Sequence, residues 1–246
     1  MSVVVEVPVF NIQSAVEAAR AGAHRIELCD NPAEGGTTPS YGIIKQVLRL
    51  VSIDVLVMVR PHGGNFVYSD DEFVAMQHDV EACKSAGVHG IVFGILNEEG
   101  RLDVNRCSRL IDRARPMQVT LHRAFDVTRD ADEALEDAIR AGFDRILTSG
   151  QRATAIEGAE RIASLVRYAG NRIVIMAGSG ITPENVVPLV RQTGVREIHC
   201  SAREWRDHSS RSNEQVSFNV PLPGKSGSYK VNEVKLKQIL NAVDRL

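Results

Sequence analysis

The stretch Arg20-Ala21-Gly22-Ala23-His24-Arg25-Ile26 returns 120 residues later as Arg140-Ala141-Gly142-Phe143-Asp144-Arg145-Ile146. Each copy reads as the end of a helix, a glycine and the start of a strand. Glycine tolerates the left-handed turn just past a helix, so this is the chemistry of a helix-to-strand joint. The joint recurs at Ala86-Gly87, Ala169-Gly170 and Thr193-Gly194. Similar αβ joints therefore repeat along the chain, and a duplicated half-barrel is a further possibility.

Outward from these joints, strand-like and helix-like runs alternate from end to end. Val3 to Val9, Arg25 to Cys29, Ile53 to Arg60, Val88 to Leu96, Gln118 to Ala124, Arg145 to Ser149, Arg172 to Ala177 and Glu197 to Ser201 are rich in Val, Ile and Leu. Most are nearly continuous apolar runs, as parallel strands buried on both faces should be. Helical segments lie between them, and Val231 to Arg245 closes the series. Asn11, Ser40, Ser69 and Thr182-Pro183 stand where helix starts need caps. Eight strands and eight helices in 246 residues give about 31 residues per unit, the size of one βα repeat. The α/β class expected is a single (β/α)8 TIM barrel, one domain over residues 1–246. A doubly wound sheet would carry a glycine-rich loop after its first strand, and Val7-Pro8-Val9-Phe10-Asn11 is no such loop.

Composition sets outer limits. Hydrophobic residues make up 43% and charged residues 24%, which excludes a disordered chain, a fibre or a disulfide scaffold. A net charge of −2 argues against nucleic acid or an acidic membrane as the main partner. No apolar run approaches the ~20 residues that span a bilayer, and Met1 to Phe10 reads as a strand rather than a signal peptide. Four widely spaced cysteines without a CxxC fit a reducing cytosol. Residues 203–230, rich in Ser, Asn, Gly and Pro, form a long loop between the eighth strand and the last helix. A lid, a subunit contact and a mobile surface loop are all open readings of it.

Barrel enzymes build their sites at the C-terminal ends of the strands. Alternation along each strand predicts which polar groups point inward there. Glu6, Glu27 with Cys29, Arg60, His122 followed by Asp126, Thr148 followed by Ser149, and His199 with Ser201 are the expected set. Buried charges are costly unless paired, so several at one level suggest a site; a buried ion-pair network without a ligand is the alternative. Gly178 and Gly180, after the seventh strand, with Ser201 after the eighth, suit an anion held by backbone N–H groups, though turn geometry alone also explains such glycines. Cys83 and Cys107 lie in helices and Cys200 should face the helix layer, so only Cys29 points to the mouth. A Cu(I) site prefers two or three soft sulfurs, and Met58 and Met176 are weaker candidates for that role.

Five motifs together resemble the CutC family of copper homeostasis proteins. They are Arg25-Ile26-Glu27-Leu28-Cys29 with Glu34-Gly35-Gly36-Thr37-Thr38-Pro39-Ser40; Arg60-Pro61-His62-Gly63-Gly64; His122-Arg123-Ala124-Phe125-Asp126; Leu147-Thr148-Ser149-Gly150-Gln151; and His199-Cys200-Ser201-Ala202. The resemblance covers nearly the whole chain. It implies a (β/α)8 barrel, a cytoplasmic location, a homo-oligomer (dimer or tetramer) and a role in copper handling. It also implies copper as a possible cofactor, with Cys29 the best ligand and His199 or a methionine beside it. Family members often carry cysteine late in the first strand, where this chain has Val7 and Pro8.

Two functions are thus expected. One is copper binding at Cys29. The other is an enzyme of proton-transfer, lyase or hydrolase type on a small anionic or sugar-like ligand. There Glu6 or Glu27 is the base, His122 the partner acid or electrophile, and Asp126 a further carboxylate. Arg60, Arg123, Thr148, Ser149, Gly178, Gly180, His199 and Ser201 bind the ligand. A pure interaction scaffold is a third possibility, with residues 203–230 as its main contact.

Overall fold

The structure is a computed structural model and describes residues 3–207 and 227–246. Eight parallel strands close a ring in chain order: β1 (Val4–Val9), β2 (Arg25–Leu28), β3 (Asp54–Met58), β4 (Gly90–Phe93), β5 (Gln118–Leu121), β6 (Arg145–Thr148), β7 (Val174–Gly178) and β8 (Glu197–His199). β1 pairs with both β2 and β8, so no edge of the ring is left unpaired. The helices α1 (Ile12–Ala21), α2 (Tyr41–Leu50), α3 (Asp70–Ala86), α4 (Val104–Ala114), α5 (Ala131–Ala141), α6 (Ala159–Ala169), α7 (Val186–Thr193) and α8 (Glu233–Val243) alternate with them. This is the expected (β/α)8 barrel.

The repeated joint behaves as its glycine predicts. Gly22 and Gly142 have φ of 99° and 97°, and each donates its N–H back to the last turn of the preceding helix. Asn11, Ser40 and Ser69 cap α1, α2 and α3 with their side chains, and Ser69 forms a reciprocal box with Glu72. The Thr182-Pro183 start is different: the helix proper begins at Val186, and the Asn185 side chain accepts from the Thr182 N–H instead. Strand 5 is also shorter than its apolar run. The chain leaves it at His122 and turns through a 3-10 segment, Arg123–Val127.

Outward-facing strand residues such as Val5, Ile26, Val57, Ile91 and Ile198 pack under the helices in one continuous core. Inside the ring a separate apolar cluster holds Cys29, Leu56, Met58 and Val92, with Phe10 against it. Below it the barrel interior is ionic. Arg25 bridges Glu6 and Glu197, and Glu197 also receives Arg145, whose remaining donors reach Thr120 and Gln118. These arginines were not anticipated as interior groups.

The ends of the long segment after β8 are not loop. β9 (Arg203–Asp207) and β10 (Gly227–Val231) pair antiparallel, and Asn11 Nδ2 donates to the Tyr229 carbonyl at 3.0 Å, tying the hairpin to α1. The lid and subunit-contact readings fall on residues 208–226, outside the described residues.

Candidate functional site

The C-terminal mouth of the barrel opens into a cleft of about 510 Å3. Its walls carry Glu27, Arg60, His122, Leu147 and His199 from the strands or their ends. Phe66, Arg123, Ser179, Gly180, Ser201, Arg203 and Lys235 come from the loops, the start of β9 and α8. Alternation places the strand residues: Arg25, Glu27 and Cys29 share one face of β2, and Glu197, His199 and Ser201 share one face of β8 and its extension.

His199 links the two carboxylates expected at the mouth. Its Nδ1 lies 2.8 Å from Glu6 Oε1, and its Nε2 lies 3.7 Å from Glu27 Oε2. Burial works against the charged imidazole. The Glu6 hydrogen bond and both carboxylate charges outweigh it, so the His199 pKa is raised. Glu6 is fully buried below the cleft. Burial pushes its pKa up, but the His199 hydrogen bond and the Arg25 and His199 charges reverse this and hold it at about 2. Glu6 is therefore a fixed anion. Glu27 differs: burial pushes it up, the His199 charge pulls it part of the way back, and Glu6 pushes again, leaving it at about 7. Glu27 is only 4% exposed, and its Oε1 has no hydrogen-bond partner.

On the far side of the ring His122 is a neutral imidazole. Burial and the nearby Arg60 charge lower its pKa to about 3. Its Nδ1 accepts from the Ala124 N–H, so the proton resides on Nε2. That buried Nε2 has no partner. Arg60, 5% exposed, directs its two terminal nitrogens at the Glu34, Gly36 and Gly64 carbonyls and leaves its buried Nε unpartnered. Its fork is thus committed to organising the loops after β2 and β3, not free for a carboxylate. One aromatic ring, Phe66, supports both donors: it lies 4.7 Å from the His122 ring and 4.9 Å from the Arg60 guanidinium carbon. No sequence pattern singled out Phe66; it precedes no strand and caps no helix.

Four expected residues, Asp126, Thr148, Ser149 and Gly178, are not on the cleft wall. Thr148 has the parity of the helix layer, and Leu147 takes the inward place on β6. The expectation of Thr148 at the mouth is corrected: a strand read one residue out of phase exchanges its faces. Thr148 and Ser149 instead bind Asp126, whose carboxylate also accepts from the Ser149 and Gln151 N–H groups and from Arg123 Nε at 2.7 Å. Asp126 so surrounded pins the turn after β5 to the loop after β6 and is absent from the cleft wall. Gly178 fits closely: a Cβ there would lie 2.5 Å from Leu147 Cδ1. Past it, Ser179 and Gly180 have φ of 81° and 70°. Ser179 holds this strained backbone with its hydroxyl donated to the Ala153 carbonyl at 2.8 Å.

The donor set for copper is poor. Cys29 is buried against Gly36 and Met58, and its thiol is pushed well above the usual range by burial and the Glu27 charge. A metal ligand must be a thiolate, and both burial and the Glu27 charge oppose forming one at Cys29. Cys83, Cys107 and Cys200 are buried, and burial raises the Cys83 and Cys200 thiols to about 12 and pushes the Cys107 thiol well above its usual range. Among the described residues no group of three or more His, Cys, Asp or Glu side chains is placed to hold a metal ion. The residues present do not fit a resident copper ion.

Comparison with known proteins agrees with the five motifs. A model of the CutC family matches residues 3–204. The human copper homeostasis protein cutC homolog is 44% identical over 239 residues, 97% of this chain and 88% of that protein. A family protein CutC of Parabacteroides distasonis is 49% identical over 204 residues, 82% of this chain and 84% of the relative. The crystal structure of a putative copper homeostasis protein CutC from Streptococcus agalactiae superposes with a TM-score of 0.76 at 37% identity. It covers 81% of this chain and 98% of that one.

Proposed function

The chain belongs to the CutC family of copper homeostasis proteins, and on that premise we propose that its working part is the mouth cleft, acting by proton transfer on a small anionic metabolite. One observation carries this reading. Glu27 Oε1, Arg60 Nε and His122 Nε2 are buried side-chain atoms without a hydrogen-bond partner, and all three residues line the same cleft. A buried polar group left unpaired costs roughly 1–3 kcal/mol, so three around one cleft are best explained by a ligand that completes them. Arg123, Arg203 and Lys235 add positive charge at the rim, beside the Ser179-Gly180 and Ser201 backbone. That is where barrels of this kind often hold phosphate or carboxylate. The family's copper connection supports a role in metal handling, but the chemistry of this cleft is that of oxygen ligands and protons, not of thiolates.

A thermal-shift screen of phosphorylated and carboxylated metabolites tests the reading. Stabilisation of the wild type by at least one class is expected, weakened in Glu27→Gln. No stabilisation by any compound, together with a Glu27→Gln protein as stable as the wild type at every pH, would remove it.

A further inference from the structure

We propose that the cleft enolises an α-hydroxycarbonyl compound, with Glu27 taking the proton from carbon and His122 and Arg60 holding the developing oxyanion. The inference rests on the ligand reading above and adds the reaction class. Its ground is the sorting of the three unpartnered atoms. The single acceptor, Glu27 Oε1, comes from β2; the two donor residues, His122 and Arg60, follow the C-terminal ends of β5 and β3 and both pack on the Phe66 ring. One unpartnered acceptor and two unpartnered donors on residues of the same cleft match a substrate that presents a C–H to the carboxylate and a carbonyl oxygen to the donors.

The step balances without a further reactant. Glu27 carboxylate removes the proton from the hydroxyl-bearing carbon next to the carbonyl. The C–H electron pair becomes the new C=C bond, and the carbonyl π pair moves to oxygen. That oxygen receives the His122 Nε2–H and Arg60 Nε–H hydrogen bonds. Return of the proton from Glu27 to either carbon regenerates a carbonyl compound. Return to the original carbon restores the substrate. Return to the former carbonyl carbon, with transfer of the hydroxyl proton between the two oxygens, gives the isomer. A neutral imidazole suits the donor role, because it polarises the carbonyl without surrendering a full proton. His199 acts here as a positioning residue, since it reaches Glu27 and not the donor pair.

The test is solvent deuterium incorporation followed by proton NMR. Hydroxypyruvate and dihydroxyacetone phosphate, each incubated with the protein in D2O, are the probes, and a protein-free sample gives the spontaneous rate. Loss of the α-proton signal well above that rate is expected for at least one probe. Glu27→Gln, purified identically, should lose about 10²–10⁴-fold of the exchange rate. His122→Phe should lose about 10²-fold or more, and His122→Gln, which retains an amide donor, should recover part of it. Thermal unfolding of each variant reports folding. Stabilisation by a probe without exchange overturns enolisation and leaves the ligand reading standing. Neither stabilisation nor exchange with either probe overturns the enolisation proposal, and the wider metabolite screen then decides the ligand reading. Exchange that persists in Glu27→Gln also overturns the assignment.

Discussion

His199 Nε2 stands 3.7 Å from Glu27 Oε2, while the other nitrogen of the same ring is bonded to Glu6. One imidazole, its pKa raised by both carboxylates, therefore sits between a carboxylate held at about 2 and one that titrates near neutrality. The Glu27 proton is set in part by a neighbour whose charged form the Glu6 anion favours.

Removing that imidazole should move the titration. In His199→Gln the charge that pulls the Glu27 pKa down is gone, so its carboxyl should titrate above the wild-type value of about 7 by on the order of one unit. Carbon NMR of a glutamate-labelled protein reads this without any substrate. An unchanged or lower midpoint would show that His199 does not set the Glu27 charge.

Stability should depend on pH through Glu27 with a definite sign. Its folded pKa, about 7, lies above the ordinary 4.5, so its contribution is complete below 4.5 and is lost as pH rises through about 7. The loss has an upper bound on the order of 3 kcal/mol. Glu27→Gln lacks this dependence, so the variant should gain on the wild type between pH 5 and pH 8 in urea unfolding. Glu6 has the opposite sign, its contribution being present above 4.5 and lost as pH falls toward about 2.

Asp126 should behave as a structural tie. Asp126→Ala removes the acceptor shared by Thr148, Ser149, Gln151 and Arg123. A loss of roughly 2–4 kcal/mol in denaturant unfolding is expected from the orphaned donors. The Glu27 midpoint should stay where it is. A shifted midpoint would place Asp126 in the electrostatics of the cleft.

Copper should not discriminate at Cys29. In competition against a Cu(I) chelator, the wild type and Cys29→Ser are expected to bind equally weakly, because the Cys29 thiol is buried and held protonated. A loss of affinity confined to Cys29→Ser would reinstate the thiol as a ligand.

Gly94 offers a steric test of the donor wall. A Cβ there would lie 2.9 Å from His122 Cε1 and 2.7 Å from Leu121 Cδ1. Gly94→Ala should cost about 1–3 kcal/mol by overpacking, and by shifting the imidazole it should weaken ligand stabilisation more than it weakens the fold. Equal stabilisation of both proteins would argue that His122 does not meet the ligand.

The barrel was legible because its strands are apolar on both faces and its joints repeat a glycine at the same place, features that survive without tertiary context. The mouth was legible in part. Glu27, His122 and His199 lie at the C-terminal ends of clear strands, so alternation alone turns them inward. Thr148 was misplaced because Leu147 and Thr148 both sit in a short apolar run, where nothing in the pattern fixes the phase. Arg25 and Arg145 were passed over because they begin their strands, and charges at strand starts read as solvent-facing. Their role depends on Glu197, a neighbour across the ring that no local window contains. Asp126 looked like a catalytic carboxylate because its bonds come from a loop 22 to 25 residues away.

The lower barrel holds Arg25 and Arg145 against Glu6 and Glu197, so positive and negative charges cancel there. An anion entering the mouth meets no net positive charge beneath it, and among the described cleft residues the His199 imidazole, like Glu27, is able to take up a proton. Binding should therefore draw a proton from solution. The heat of binding would then vary with the ionisation enthalpy of the buffer, and affinity for an anion would fall as the medium turns alkaline.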